Sequence, residues 1–122
     1  MANQRILIVD DSEFMRLSLR DSVEELGYEV AGEAENGDEA VTKYKELRPD
    51  LVTMDLVMPK AGGIDGIKGI KALDPKAKIV VVSAIDQKAT LAEAIQAGAS
   101  DFIVKPFEKE RISSVIRKLL GD

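Results

Sequence analysis

Leu51-Val52-Thr53-Met54-Asp55 is a run of strand length that closes on a carboxylate. Leu56-Val57-Met58-Pro59 follows, where the proline stops regular structure, and then the pair Gly62-Gly63. An acid that leaves an apolar strand for a loop sits at the carboxyl edge of a sheet, where open α/β folds hold their ligands. The fold and the function both turn on which other residues reach that edge.

Upstream, Arg5-Ile6-Leu7-Ile8-Val9 is continuous, apolar and mostly β-branched, as expected of a strand covered on both faces, and it ends in Asp10-Asp11. Asp11 or Ser12 caps the helix that follows, where Met15, Leu19, Val23 and Leu26 fall near helical spacing and Gly27 is the stop. Tyr28 to Ala34 reads as a weaker strand interrupted by Gly32. Asn36-Gly37-Asp38 is a turn and cap, and Ala40, Val41, Tyr44 and Leu47 mark a helix closed by Pro49.

Downstream of Asp55, a loop through Gly63 leads into a helix with Ile64, Ile67, Ile70 and Leu73 inward. Gly66 and Gly69 weaken it by ~1 kcal/mol each relative to alanine. Lys78 to Ser83 is a fourth strand with a hydroxyl at its end. A helix from about Asp86 to Ala97 turns Leu91 and Ile95 inward, with Gly98 as stop. Asp101-Phe102-Ile103-Val104 is the fifth strand, ended by Lys105-Pro106, and Ile112, Val115, Ile116 and Leu119 give the last helix its stripe.

Short apolar strands that alternate with amphipathic helices predict a parallel sheet, helices on both faces and right-handed crossovers. Parallel strands share one carboxyl edge, so Asp10-Asp11, Asp55, Ser83 and Lys105 are expected there together. The second strand ends in Ala34-Glu35 and offers no comparable group.

Composition narrows the chemistry. At 122 residues the chain is expected to form a single domain, 1–122, and its 45% hydrophobic content excludes disorder. A net charge of −5 argues against general affinity for nucleic acid. No apolar run is long enough to span a membrane, and Met1 to Arg5 carries no signal core, so a cytoplasmic protein is expected. Without cysteine there are no disulfides, thiolates or soft zinc sites, and without histidine there is no Ser-His-Asp triad. Carboxylates, hydroxyls and lysines remain.

Three carboxylates brought together repel, so at least one is expected to have a raised pKa. A hard divalent cation removes the conflict, and Mg²⁺ prefers oxygen ligands and bridges carboxylates to phosphate oxygens. Taken alone, Asp10-Asp11 is equally a helix-capping pair, Ser83 a strand-end cap and Lys105 a solvated end group. Taken together they suit phosphoryl transfer, which needs positioning and charge neutralisation. Asp55 would attack phosphorus, Lys105 would neutralise a phosphoryl oxygen and Ser83 would donate to another. The product is an acyl phosphate on Asp55.

Asp10-Asp11, Asp55, Ser83-Ala84 and Lys105-Pro106, in this order and spacing, resemble the receiver domain of two-component response regulators along the whole chain. The resemblance implies a flavodoxin-like (βα)5 fold, doubly wound, with five parallel strands in the order 2-1-3-4-5. It implies Asp55 as phosphoacceptor. Asp11, Asp55 and the Val57 backbone carbonyl would bind Mg²⁺ directly, and Asp10 through water. Ser83 becomes the switch hydroxyl, Lys105 the phosphate-binding lysine, Phe102 the switch aromatic, and the Lys105-Pro106 bond cis. The opening from Asp10 to Arg16 is similar to the chemotaxis group of receivers. That implies a chemotaxis histidine kinase as donor and a flagellar motor switch protein or adaptor as output partner. The protein would be a monomer with no direct nucleic-acid role, and no enzyme beyond its own phosphorylation and dephosphorylation. Two features depart from the family pattern: Ala61-Gly62-Gly63 replaces a Met-Asp/Asn-Gly loop, and Phe102 replaces a commoner tyrosine.

Val57 and Ile85 bracket the expected path of a hydrolytic water, and neither can orient it, so a long-lived acyl phosphate is expected. Lys88, Leu91 and Phe102 are the expected partner surface. Three other readings share part of this pattern. An aspartyl-phosphate hydrolase commonly has a second acid two residues after the nucleophile, where Val57 stands here. A flavodoxin-like cofactor binder wants a phosphate cradle in place of Asp-Asp-Ser-Glu. A receiver cut from a longer DNA-binding regulator fits the same residues.

Overall fold

The computed structural model describes residues 4–58, 62–85 and 87–121. The predicted turn residues Pro59 and Ala61, and Asp86 as a helix start, lie outside them. The elements are β1 (Arg5–Val9), α1 (Glu13–Glu25), β2 (Glu29–Ala34), α2 (Gly37–Leu47), β3 (Leu51–Met54), α3 (Gly63–Leu73), β4 (Ile79–Ser83), α4 (Lys88–Ala97), β5 (Asp101–Val104) and α5 (Lys109–Leu120). All strand pairs are parallel, in the order β2-β1-β3-β4-β5. This is the flavodoxin-like, doubly wound sheet expected from the sequence.

The continuous apolar runs are explained by the pleat, which sends alternate residues to opposite faces. Leu7, Val9, Val52, Met54, Ile79 and Val81 join one core with Ala40 and Tyr44 of α2, Ile67 and Ile70 of α3, and Ala94 of α4. Ile6, Ile8, Leu51, Val80, Val82 and Ile103 join another with Leu19 and Val23 of α1 and Ile112, Val115 and Ile116 of α5. Each Val, Leu, Ile or Met side chain among them contributes about 1.5–3 kcal/mol relative to exposure. The edge strand β2 is irregular where Gly32 interrupts it: the register steps from Ile6↔Val30 to Leu7↔Gly32 and leaves Ala31 over.

Helix starts follow the capping residues. The Ser12 side chain accepts from the Met15 amide at 3.2 Å, and Asn36 from the Glu39 amide at 2.8 Å.

Two expectations are corrected, and one gains a reason. Leu73 is 37% exposed, because it is the last residue of α3 and joins neither core. Ile95 is 43% exposed, because Ala94 takes the inward position in α4. Gly66 and Gly69 weaken α3 in isolation but let it lie close on α2. A Cβ on Gly66 would meet Met54 and the Gly37 backbone, and one on Gly69 would meet Val41.

Candidate functional site

The register of the two central strands fixes the site. Val9 pairs with Met54, so the next residues, Asp10 and Asp55, leave the sheet side by side. The chain turns from β1 toward β2 on one side while β3 lies on the other, which opens a crevice at this strand end. Carboxylate oxygens of Asp10, Asp11 and Asp55 all lie within 4.8 Å of one another. On the far side Ser83 pairs with Val104, which brings Lys105 level with the end of β4. The Lys105 amide donates to the Ser83 carbonyl at 2.8 Å. The Lys105-Pro106 bond is cis. Every strand-end residue expected at this edge is therefore present.

Asp10 is 1% exposed and held at all four polar atoms. Its amide donates to the Ala34 carbonyl at 3.0 Å. One carboxylate oxygen accepts from the Ser12 amide at 2.9 Å and the other from Lys105 Nζ at 2.8 Å. Its carbonyl accepts from Arg16 Nη1 at 2.7 Å. The capping reading of the Asp10-Asp11 pair is thus corrected: Ser12 is the cap, and Asp10 braces the turn before it.

Asp55 is also buried, with its amide bonded to the Val9 carbonyl at 3.0 Å. Lys105 Nζ lies 3.8 Å from Asp55 Oδ2, and the Val57 amide donates to Oδ1 at 3.4 Å. Burial pushes the Asp55 carboxyl above its ordinary range. Lys105 opposes the shift, Asp10 adds to it, and the Ser83 and Val57 hydrogen bonds lower it again. Mutual repulsion, the cause expected from sequence, is real but ranks behind desolvation.

The close approach of α3 also belongs to the site. A Cβ on Gly63 would collide with the Asp55 carbonyl and the Leu56 backbone, so only glycine lets α3 begin directly beneath this turn.

The two apolar residues expected to flank the path of a hydrolytic water differ in burial. Val57 is 58% exposed and covers no core, whereas Ile85 is half-buried against the α2–α3–α4 core. Away from the edge, Lys88, Leu91 and Phe102 line one shallow apolar groove between α4 and β5, joined by Ala92, Ile95 and Gln96. Phe102 also packs on the core behind it. Ile95, assigned inward by periodicity, belongs to this groove.

One site residue escaped the sequence reading. Arg16 is buried, with its guanidinium on Asp10 and Glu33. The available signal was a charge at position 16, on the stripe that continues through Leu19, Val23 and Leu26.

A fold of this order with acids at the β1 and β3 ends and a lysine after β5 defines a class, and comparison with known proteins agrees. The family model for the response regulator receiver domain matches residues 6–117, and the chain belongs to that family. It is 59% identical over 116 residues to the chemotaxis protein CheY of Thermotoga maritima, which covers 95% of this chain and 97% of that protein. Identity to CheY of Bacillus subtilis is 53% over 117 residues, covering 96% and 98%. Among solved structures, a chain of the CheX-CheY-BeF3-Mg²⁺ complex from Borrelia burgdorferi superposes with a TM-score of 0.93 at 32% identity, covering 96% of this chain and 89% of that one. The protein is a two-component receiver with chemotaxis homologues.

Proposed function

We propose that the protein is a phospho-accepting switch in a chemotaxis two-component system, with Asp55 as acceptor. The observation that carries this reading is the gathering of Asp10, Asp11 and Asp55 oxygens within 4.8 Å, with Lys105 3.8 Å from Asp55. An Asp55 oxygen attacks the phosphorus of a kinase phosphohistidine. The P–N bond breaks, its electron pair leaves on the imidazole, and the imidazole takes a proton from solvent. Lys105 exchanges its bond to Asp10 for one to a phosphoryl oxygen, and the Ser83 hydroxyl donates to another.

The donor set also suits a small divalent cation. It is oxygen only, and it carries three carboxylates against the one ammonium of Lys105. Asp11, Asp55 and the Val57 carbonyl would hold Mg²⁺, with Asp10 reaching it through water. Bound there, the ion supplies charge neutralisation for phosphoryl oxygens and lowers the Asp55 pKa toward the ionised nucleophile.

The new charge beside Ser83 draws its hydroxyl inward, and Phe102 turns into the space released. This alters the α4-β5-α5 face offered to a motor or adaptor protein and biases a pre-existing equilibrium. Free-substrate hydrolysis is disfavoured by Val57 at the position of a second acid, so the protein acts only on its own phosphoryl group. The same apolar residue, with Ile85, makes the acyl phosphate long-lived. Val57→Asn combined with Ile85→Glu is expected to shorten its decay in Mg²⁺ severalfold, and an unchanged or lengthened decay rejects this.

The central test is incubation with a small acyl phosphate followed by intact-mass measurement. One phosphoryl group is expected on the wild type, dependent on Mg²⁺, and none on Asp55→Asn. Equal labelling of the Asn variant would overturn the assignment.

A further inference from the structure

The Asp10–Asp11 turn is braced from behind. Arg16 stands on the first turns of α1 with its side chain 11% exposed. Its Nη1 donates to the Asp10 carbonyl at 2.7 Å, its Nε donates to Glu33 Oε1 at 2.8 Å, and its Nη2 lies 3.5 Å from Glu35 Oε1. Glu33 in β2 is itself anchored from the other oxygen, where Arg20 Nη2 donates at 2.6 Å. The guanidinium thus ties α1 and the end of β2 to one backbone oxygen of the acidic turn.

That oxygen matters more than its distance from the chemistry suggests. The Asp10 carbonyl lies in the peptide plane that joins Asp10 to Asp11. Fixing it sets the direction in which the Asp11 side chain departs. Among the described residues no hydrogen bond aims the exposed Asp11 carboxylate, so its direction is inherited from that peptide. A planar five-donor fork can hold a carbonyl and a carboxylate at once, which an ammonium cannot do with the same geometry.

We propose that Arg16, braced by Glu33, is a positioning residue that sets the affinity of the acidic cluster for its divalent cation. The inference rests on the metal site of the proposed function and deepens it. Partners that orient a ligand group from behind commonly change metal affinity by about 10–100-fold when removed.

The sign of the effect separates positioning from simple charge. Removing a cation close to three carboxylates should, by Coulomb's law alone, tighten Mg²⁺ binding. Loss of the brace should weaken it.

The experiment is calorimetric titration of Mg²⁺ into the full chain, with thermal melts in EDTA as a separate readout of folding. The expected result is a dissociation constant raised about tenfold in Arg16→Met. A smaller rise is expected in Arg16→Lys, which keeps the charge. Arg20→Met removes an equal charge and also touches Glu33, yet it does not reach Asp10, so its affinity should equal or exceed that of the wild type. Arg16→Met binding as tightly as the wild type, or more tightly, would overturn the proposal whatever its melting temperature. If Arg16→Met does not fold, Arg16→Lys and Glu33→Gln decide, and wild-type affinity in both overturns it. Wild-type protein that binds no Mg²⁺ would instead sink the metal site itself, and the brace with it.

Discussion

Burial holds the Asp55 carboxyl above its ordinary range, and Lys105 at 3.8 Å only partly offsets it. For an acid with a raised folded-state pKa, the stabilising effect of protonation is complete below the unfolded value of ~4 and disappears as pH rises through the folded value. At neutral pH without metal the ionised group therefore opposes folding. Asp55→Asn in EDTA is expected to melt a few degrees above the wild type at pH 7, with the gap closing near pH 4. A melting temperature at or below that of the wild type would contradict the burial argument.

A second residue makes the same kind of statement with a neutral group. The Thr53 hydroxyl in the middle of β3 is buried with no hydrogen-bond partner among the described residues, and its neighbours across the sheet are Ile8 and Val80. Thr53→Val keeps the shape and removes the orphan, so a gain of about 1 kcal/mol in urea unfolding is expected. A loss would mean that the hydroxyl finds a partner in solution.

At the scale of elements, what could be read from sequence depended on how strongly each segment is patterned. β1, β3, β4 and β5 were legible because apolar residues dominate each, and α5 because its stripe repeats cleanly. In α4 periodicity could not choose between Ala94 and Ile95 as partner to Leu91, since both lie one turn on. The small residue faces inward where α4 packs beside α3, and the large one is left out. Sequence reasoning ranks the larger side chain first and therefore errs there. Ile95 lies instead in the apolar groove with Leu91 and Phe102, the proposed partner surface. Because it is 43% exposed, a charge at this position costs the fold little. Ile95→Asp is expected to leave Mg²⁺-dependent phosphorylation of Asp55 unchanged and to weaken output-partner binding at least tenfold, measured by titration of the phosphorylated protein. Binding at full strength would remove this groove from the partner surface.

Across the whole molecule the acidic site joins segments far apart in the chain, and that is why its position was legible while its bracing was not. A parallel sheet sends all strand ends to one edge, so Asp10, Asp55, Ser83 and Lys105 follow from topology alone. Arg16 arrives from a helix face, and no strand rule places a helix side chain on the carbonyl of a preceding turn. The same long-range closure predicts how metal binding reports on folding. The carboxylates leave β1 and β3, and unfolding separates them, so a cation bound to the cluster stabilises the native state by mass action. At a free Mg²⁺ concentration ten times the dissociation constant, the gain is about 1.4 kcal/mol. The melting temperature of the wild type is therefore expected to climb with Mg²⁺ concentration and to return on addition of EDTA. Asp11 is the discriminating position. Its side chain is exposed, so Asp11→Asn should leave the melting temperature in EDTA nearly unchanged. The dependence on Mg²⁺ should nevertheless fall away, because one charged ligand is gone. A variant that keeps the full Mg²⁺ response would show that the ion stabilises the fold from somewhere other than this edge.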